Sequence, residues 1–426
     1  MVQIHPNFPR YTEFDPKIPV WCVTPDLPRC IHRFFDTSPM SPSGRYVAVF
    51  QLPFEDRQPV PGEIGHVCVV DLETGEQNVV AETRGWETQL GANLNWGGSD
   101  HELYFNDVDT DSWTPFVWKL DPLTGEKQKM DGTVFHASPD GKLLISSNLT
   151  TIRRTQPGYG VVVPEDTAPH HIGPVEDDGF YLTDTTTGQR RLLVSTADLI
   201  HKAHPAIQIE HPERQEIYGN HCKFNAQGDR LMISVRYFET NGQPRWNMFK
   251  QDFKAVRYAW FTIKPDGSDL HCAVGPEQWI KGGHHAAFHP DGQHLTMNLK
   301  VDGEHMRFAW ASADGSMLEE LDPHATGSGH PTVHRDGRYV LTDCYTWEEF
   351  AFGDGTVPLR WLDLKTGREQ DIVRIHSDQP CEDVALRVDP HPAWDRTGRY
   401  VTFNGYVDGT RRVFVADMQP LLDADD

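Results

Sequence analysis

Short apolar runs, each broken by a tight turn, recur along the whole chain. One hairpin pattern appears seven times: MSPSGRYVAVF, NWGGSDHELYF, ASPDGKLLISS, FNAQGDRLMIS, FHPDGQHLTMN, VHRDGRYVLTD and WDRTGRYVTFN. Asp and Gly accept the positive φ of a tight reversal, while Val, Ile, Tyr and Phe on either side favour strands. A second pattern follows, an apolar run ending in Asp-x-x-Thr-Gly or a relative of it: VCVVDLETGEQ, VWKLDPLTGEK, FYLTDTTTGQR, WFTIKPDGSDL, FAWASADGSML, LRWLDLKTGRE and, without the turn, VFVADMQP. Each unit therefore carries two hairpins. Four strands repeating about every 40 to 60 residues predict a β-propeller, and the count predicts seven blades in one all-β domain.

The repeats bound the organisation. Residues 31–420 hold the propeller, 421–426 form an acidic tail, and the segment 1–30 is a candidate for the missing outer strand of the last blade, which would close the ring. The stretches 151–179, 196–217 and 238–256 interrupt the pattern and read as loops on one face, where propellers build function.

The histidines follow the same register. Counting back seven residues from the turn Gly gives His221, His285, His330 and His391 in four consecutive blades, with Thr37, Asn93 and Val134 at that position in the first three. Each stands at the beginning of an apolar strand, where side chains of neighbouring blades converge on a central channel. One reading makes them structural, bracing adjacent blades. The other makes them a polar set with Asp389 and Arg387 that costs desolvation unless something uses it. Imidazole with carboxylate suits a divalent transition metal such as Mn, Fe or Zn. His289, His334 and Asp395, four residues later beside the turns, read as exposed and structural. His32 and Arg33, in RCIHRFFDT before the first turn, are a further candidate pair, with a capping or packing role the equal alternative. Arg153, Arg154, Arg236, Lys254 and Arg257 place positive charge in or beside the long loops. His136, His170, His171 and His201 lie outside the register.

Composition narrows the classes of function. With 38% hydrophobic residues, 35 Gly and 31 Pro the chain is globular and turn-rich. A formal net charge of −23 disfavours nucleic acid and anionic membranes as partners. No apolar run is long enough for a membrane span, and the start MVQIHPNFPRYTEFDPKIP lacks the features of a signal peptide, so a cytoplasmic location is expected, or a periplasmic one if a leader was removed. Seven cysteines without a CxxC pair point to reduced thiols rather than a disulfide framework or zinc ribbon. The GxSxG elbow, P-loop, HExxH and EF-hand motifs are all missing. Oligomeric state has no signature.

Four segments, CIHRFF before the first turn, HHAAFHPDG, GHPTVHRDG and DPHPAW, resemble the oligogalacturonate lyases. These are seven-bladed propellers that cleave uronate oligosaccharides by β-elimination with a bound divalent metal, usually Mn. The resemblance implies His285 as the catalytic base, with His221 the next candidate, and His330 and His391 as metal ligands. Asp389 stands where the family has another ligand His, and Leu386 where it has a ligand Gln. Arg257 is the nearest match to the family's catalytic Arg, and His32, Arg33, Arg236 and Arg387 are candidates for holding substrate. The alternative is a non-catalytic TolB-like propeller acting as a binding scaffold. The two differ in whether a base lies within reach of the His330–His391 pair.

Overall fold

In the computed structural model, residues 3–156, 158–240, 256–378 and 382–424 are described, except the side chains of Arg154 and Thr155. The loop lysine Lys254 and Cys381 fall outside these residues, as does most of the stretch 238–256. The strands form seven four-stranded antiparallel sheets, the seven blades of a propeller, and the other six cysteines are all free thiols.

The two repeated hairpins have distinct places in each blade. The first joins the innermost strand to the second, as in blade 5, where Gly283–Phe288 pairs with His294–Leu299. The second joins the third strand to the outermost, as in blade 1, where Gly65–Asp71 pairs with Gln77–Thr83. The Asp that opens this second turn is chosen by hydrogen bonding. Asp71, Asp121 and Asp184 each accept from the backbone N–H groups two and three residues on, which fixes the reversal. In blades 1, 6 and 7 an Arg just after the first turn also pairs with an Asp of the third strand: Arg45 with Asp71, Arg338 with Asp363 and Arg399 with Asp417, at 2.6–2.7 Å. The second strands read as apolar runs rather than alternating ones because blades pack on both their faces. In Tyr46–Gln51 the four central residues are all buried.

Blade 7 takes its outer strand from the N-terminus. Val20–Cys22 pairs antiparallel with Thr410–Asp417, Val20 opposite Ala416, so the first and last parts of the described chain are held in one sheet. After that sheet Gln419–Ala424 forms a short helix, with Leu421 and Leu422 against the core.

Two of the presumed loops contain helices. Leu149–Thr155 is capped by the Asn148 side chain and Thr196–Lys202 by Ser195. Each cap satisfies an N–H that the helix itself leaves open. Another correction concerns the turns: His334 and Asp395 are buried, not exposed. His334 Nε2 bonds the Gly398 carbonyl of the next blade at 3.0 Å, and Asp395 accepts from the N–H groups of Arg399 and Tyr400, both at 2.8 Å.

The channel is filled rather than open. Residues 32–37 cross it, and Phe34 presents its ring to His221, His285, His330 and His391, with centroids 4.7–6.1 Å apart. Phe35 packs on His285 and His330. Arg33, Asp36 and Lys223 form a buried ion cluster beside this plug.

Candidate active site

Inner-strand geometry aims the histidines. In blades 4 and 5 the pairing slips by one residue between Gly219 and Cys222 and between His284 and Ala287. Such bulges re-aim side chains, and here His221 and His285 are the residues displaced. Asn93, His285 and His391, all at one register position, adopt left-handed φ of 55°, 56° and 51°. For residues other than glycine this costs about 1 kcal/mol or more and is kept only where the surroundings enforce it.

Two of the register histidines converge with Asp389. The ligand atoms of His330, His391 and Asp389 lie within 4.8 Å of one another, all three buried, the one such group among the described residues. The Nε2 atoms of the two histidines are 3.1 Å apart, and Asp389 Oδ2 is 3.7 Å from His391 Nε2. Asp389 Oδ2 also ion-pairs with Arg387 Nε at 2.7 Å, yet in an alignment that leaves it without a hydrogen bond, and His391 Nδ1 has none either. Two imidazole nitrogens, a carboxylate oxygen and buried polar atoms left unsatisfied make a donor set that fits a divalent transition metal. Leu386, where the resemblance has a ligand Gln, is buried and offers no donor atom from its side chain.

Beside this group is His285. Its ring is 3.9 Å from that of His330, centroid to centroid. Its Nδ1 lies 2.7 Å from the Gly329 carbonyl and 2.7 Å from His284 Nδ1, to which Asn298 Nδ2 also approaches at 3.2 Å. The assignment that satisfies these contacts puts the proton on His285 Nδ1, leaving Nε2 as an acceptor 3.3 Å from the Tyr345 hydroxyl. Burial, reinforced by His330 and His284, holds His285 well below the usual imidazole pKa, so at neutral pH its ring is uncharged. His391 is lowered well below its usual value by burial, then by His330 and His32, and His221 by burial, then by Lys223 and Arg236. Burial, then Asp389, pushes Tyr345 well above its ordinary value, so it keeps its proton.

His285, His221 and Tyr345 open into a cavity of about 370 Å³, while His330, His391 and Asp389 lie buried behind its lining. Around the ring its wall runs from Arg387 ahead of blade 7, through Tyr345 of blade 6 and His285 of blade 5, to His221 and Arg236 of blade 4. Trp347, 63% exposed, stacks on Tyr345 with centroids 4.6 Å apart and planes 6° apart. The two arginines differ in kind. Arg387 is paired with Asp389 and bonds the Tyr159 hydroxyl at 3.2 Å. Arg236 is buried with Nε and Nη1 unpartnered, over the ring of Tyr258, and no carboxylate among the described residues pairs with it. Gln156 Oε1, Asn220 Oδ1 and His221 Nε2, on the same wall, are also unsatisfied.

Three of the expected substrate or catalytic residues are elsewhere. Tyr258 and Trp260 face the cavity, so period-2 alternation turns Arg257 to the opposite face of its strand, where it lines a separate pocket with Glu210, Glu239 and Glu277. Arg33 is buried in the ion cluster beside the plug, bonded to Asp36, Thr37 and the Phe135 carbonyl. His32 is fully buried behind His391, with Nε2 3.3 Å from the Pro390 carbonyl and burial lowering its pKa to about 4. Arg153 is outside this cavity too, while Gln156 and Tyr159 from the same insertion line it. Sequence reasoning passed over Asp343, whose carboxylate bonds His330 and His391, and the Phe34–Phe35 plug. For Asp343 a buried acid in an apolar strand end, VLTDCY, was the available signal.

No protein-family model matches the chain. No curated protein matches it in sequence. Two solved structures match nearly its whole length. One is an oligogalacturonate lyase in complex with manganese, at TM-score 0.62 and 16% identity over 96% of this chain and 96% of that one. The other is the oligogalacturonate lyase of Vibrio parahaemolyticus, at TM-score 0.62 and 15% identity over 97% and 96%. At such identities the likeness speaks for the fold, and in fold it agrees with the resemblance read from the sequence.

Proposed function

We propose that this protein is a lyase that cleaves uronic-acid-containing oligosaccharides by β-elimination, with a divalent metal, Mn foremost, held by His330, His391 and Asp389. The observation that carries the reading is the proton-free Nε2 of His285, which accepts from a tyrosine hydroxyl while its ring packs on that of His330 in the metal-ligand group. Bound there, the cation would offset the charge of the substrate carboxylate and so acidify the proton on C5.

The side chains supply the proton transfers. His285 Nε2 takes the C5 proton, the C4–O4 bond breaks with its electron pair going to O4, and a C4–C5 double bond forms. Tyr345, protonated and on the same wall, gives O4 its proton and recovers one from His285 across their 3.3 Å contact. Arg236 receives a substrate carboxylate, the role its unpaired guanidinium suits and Arg257 cannot reach. His221 lines the cavity without a partner for Nε2 and is the reserve base. Trp347 offers its exposed face to a sugar ring.

A binding scaffold of the TolB-like kind has no use for a base in contact with a metal group, and the His285–His330 distance supports the enzyme reading over it. The test is a panel of uronate oligosaccharides incubated with the protein and added Mn, followed by the ultraviolet absorbance of a double bond conjugated to the carboxylate, with His285→Ala alongside. Removing a general base lowers rates by about 10²–10⁴. Products with ordinary reducing ends and no double bond would make the protein a hydrolase.

A further inference from the structure

The carboxylate of Asp343 neither lines the cavity nor belongs to the donor set, yet it is fully buried and makes four close contacts with two residues of that set. Oδ1 accepts from the His330 backbone N–H at 2.7 Å and lies 2.8 Å from His330 Nδ1. Oδ2 lies 3.0 Å from the same Nδ1 and accepts from the His391 backbone N–H at 2.9 Å. One side chain at the end of the second strand of blade 6 thus grips a residue of its own blade and a residue of blade 7.

Each contact fixes something the donor set needs. A carboxylate facing Nδ1 requires the proton there, so His330 Nε2 is left as a lone pair directed toward His391 Nε2. The other oxygen holds His391 in its left-handed conformation, which the backbone alone would not choose. The close approach depends on Gly329: a Cβ there would fall 2.2 Å from both Asp343 Oδ1 and its carbonyl oxygen.

From this geometry we infer that Asp343 is the positioning residue of the metal group, setting the tautomer of His330 and the backbone of His391 and thereby the register of blade 6 against blade 7. The inference rests on the proposed reading in taking His330 and His391 as metal ligands. Asparagine is close in shape but carries N–H donors on one arm, so it cannot accept from both histidines.

Two measurements on full-length Asp343→Asn test it. In the metal-free protein, ¹⁵N NMR of the His330 ring reads the tautomer directly: wild type is expected as the Nδ1–H form and the variant as a mixture or the Nε2–H form. In a Mn titration followed by the electron paramagnetic resonance of free Mn, the variant is expected to bind about 10–100-fold more weakly, with the metal-free melting temperature reported beside it. Should Asp343→Asn fail to fold, Gly329→Ala, which displaces the carboxylate without removing it, is expected to shift both readouts the same way. An unchanged His330 tautomer, or wild-type Mn affinity in a folded variant, overturns the inference. Wild-type protein that binds no divalent ion overturns the metal reading instead, and the metal-free tautomer still decides what Asp343 does.

Discussion

The ring of Phe34 stands edge-on to that of His391, their centroids 4.7 Å apart and their planes at 74°, although 357 residues separate them in the chain. Phe34 fills the channel beneath all four register histidines, so the floor of the site is an aromatic side chain from blade 1. Truncation to Ala would leave a void that rigid strands cannot close. Phe34→Ala is expected to lose about 3–5 kcal/mol of stability, measured by chemical denaturation, and to weaken Mn binding because the imidazoles lose their packing. Phe34→Leu should lose less of both.

Tyr345→Phe removes one oxygen and keeps the ring that stacks on Trp347. If the hydroxyl serves as proton donor, turnover falls by about 10²-fold or more with Mn affinity unchanged. A variant with wild-type turnover would leave the tyrosine as packing only.

Arg236 predicts opposite effects on stability and on function. Its buried donors lack partners, a state that costs about 1–3 kcal/mol. Arg236→Met should therefore melt at the same or a higher temperature than the ligand-free wild type, while substrate affinity drops sharply. A variant that is both less stable and equally active would show that the guanidinium is structural.

The platform at the rim should affect binding and spare chemistry. Trp347→Ala is expected to raise KM about 2- to 12-fold, the range of an aromatic stacking contribution of about 0.5–1.5 kcal/mol, with little change in kcat. Steady-state kinetics on oligosaccharides of different length check it.

Acid stability has a predictable sign at His136, away from the metal group. Burial, then Arg33, pushes its pKa down to about 3, and its Nδ1 accepts from the Phe224 N–H at 3.2 Å. Because the folded pKa lies below the unfolded one, near 6.5, the unfolded chain takes up a proton that the folded chain refuses. Stability is then complete above pH 6.5 and falls as pH drops toward 3, by at most about 1.4 kcal/mol per pH unit for this one group. His136→Asn, which can still accept from Phe224, should flatten that slope by up to one proton in denaturation measured across pH 4–7.

Much of the candidate site was legible because it obeys the repeat. His285, His330 and His391 were found by counting from the turn glycines, and Asp389 and Arg387 by their closeness to His391 in sequence. The count worked since every blade threads the same way, so equal distance from a turn means equal height in the channel. Arg257 misled for the converse reason: it is one residue from a cavity-facing position, and in a strand one residue reverses the face. For His32 and Arg33 the sequence left a substrate role and a packing role equally open, and the packing role holds because this segment crosses the channel and is buried there.

Local chemistry written in the sequence determined the blade, through Asp that caps its own turn, Gly that accepts positive φ and apolar runs long enough for strands packed on both faces. Repetition of that blade determined the number seven. Tertiary structure alone decided which polar side chains meet. The pairing of His330 with His391, the grip of Asp343 on both, and the Phe34 plug join residues of different blades, and their distances depend on how the ring closes and how the bulged inner strands turn their side chains. No spacing along one strand carries that information, because a propeller brings its blades together at the axis rather than along the chain.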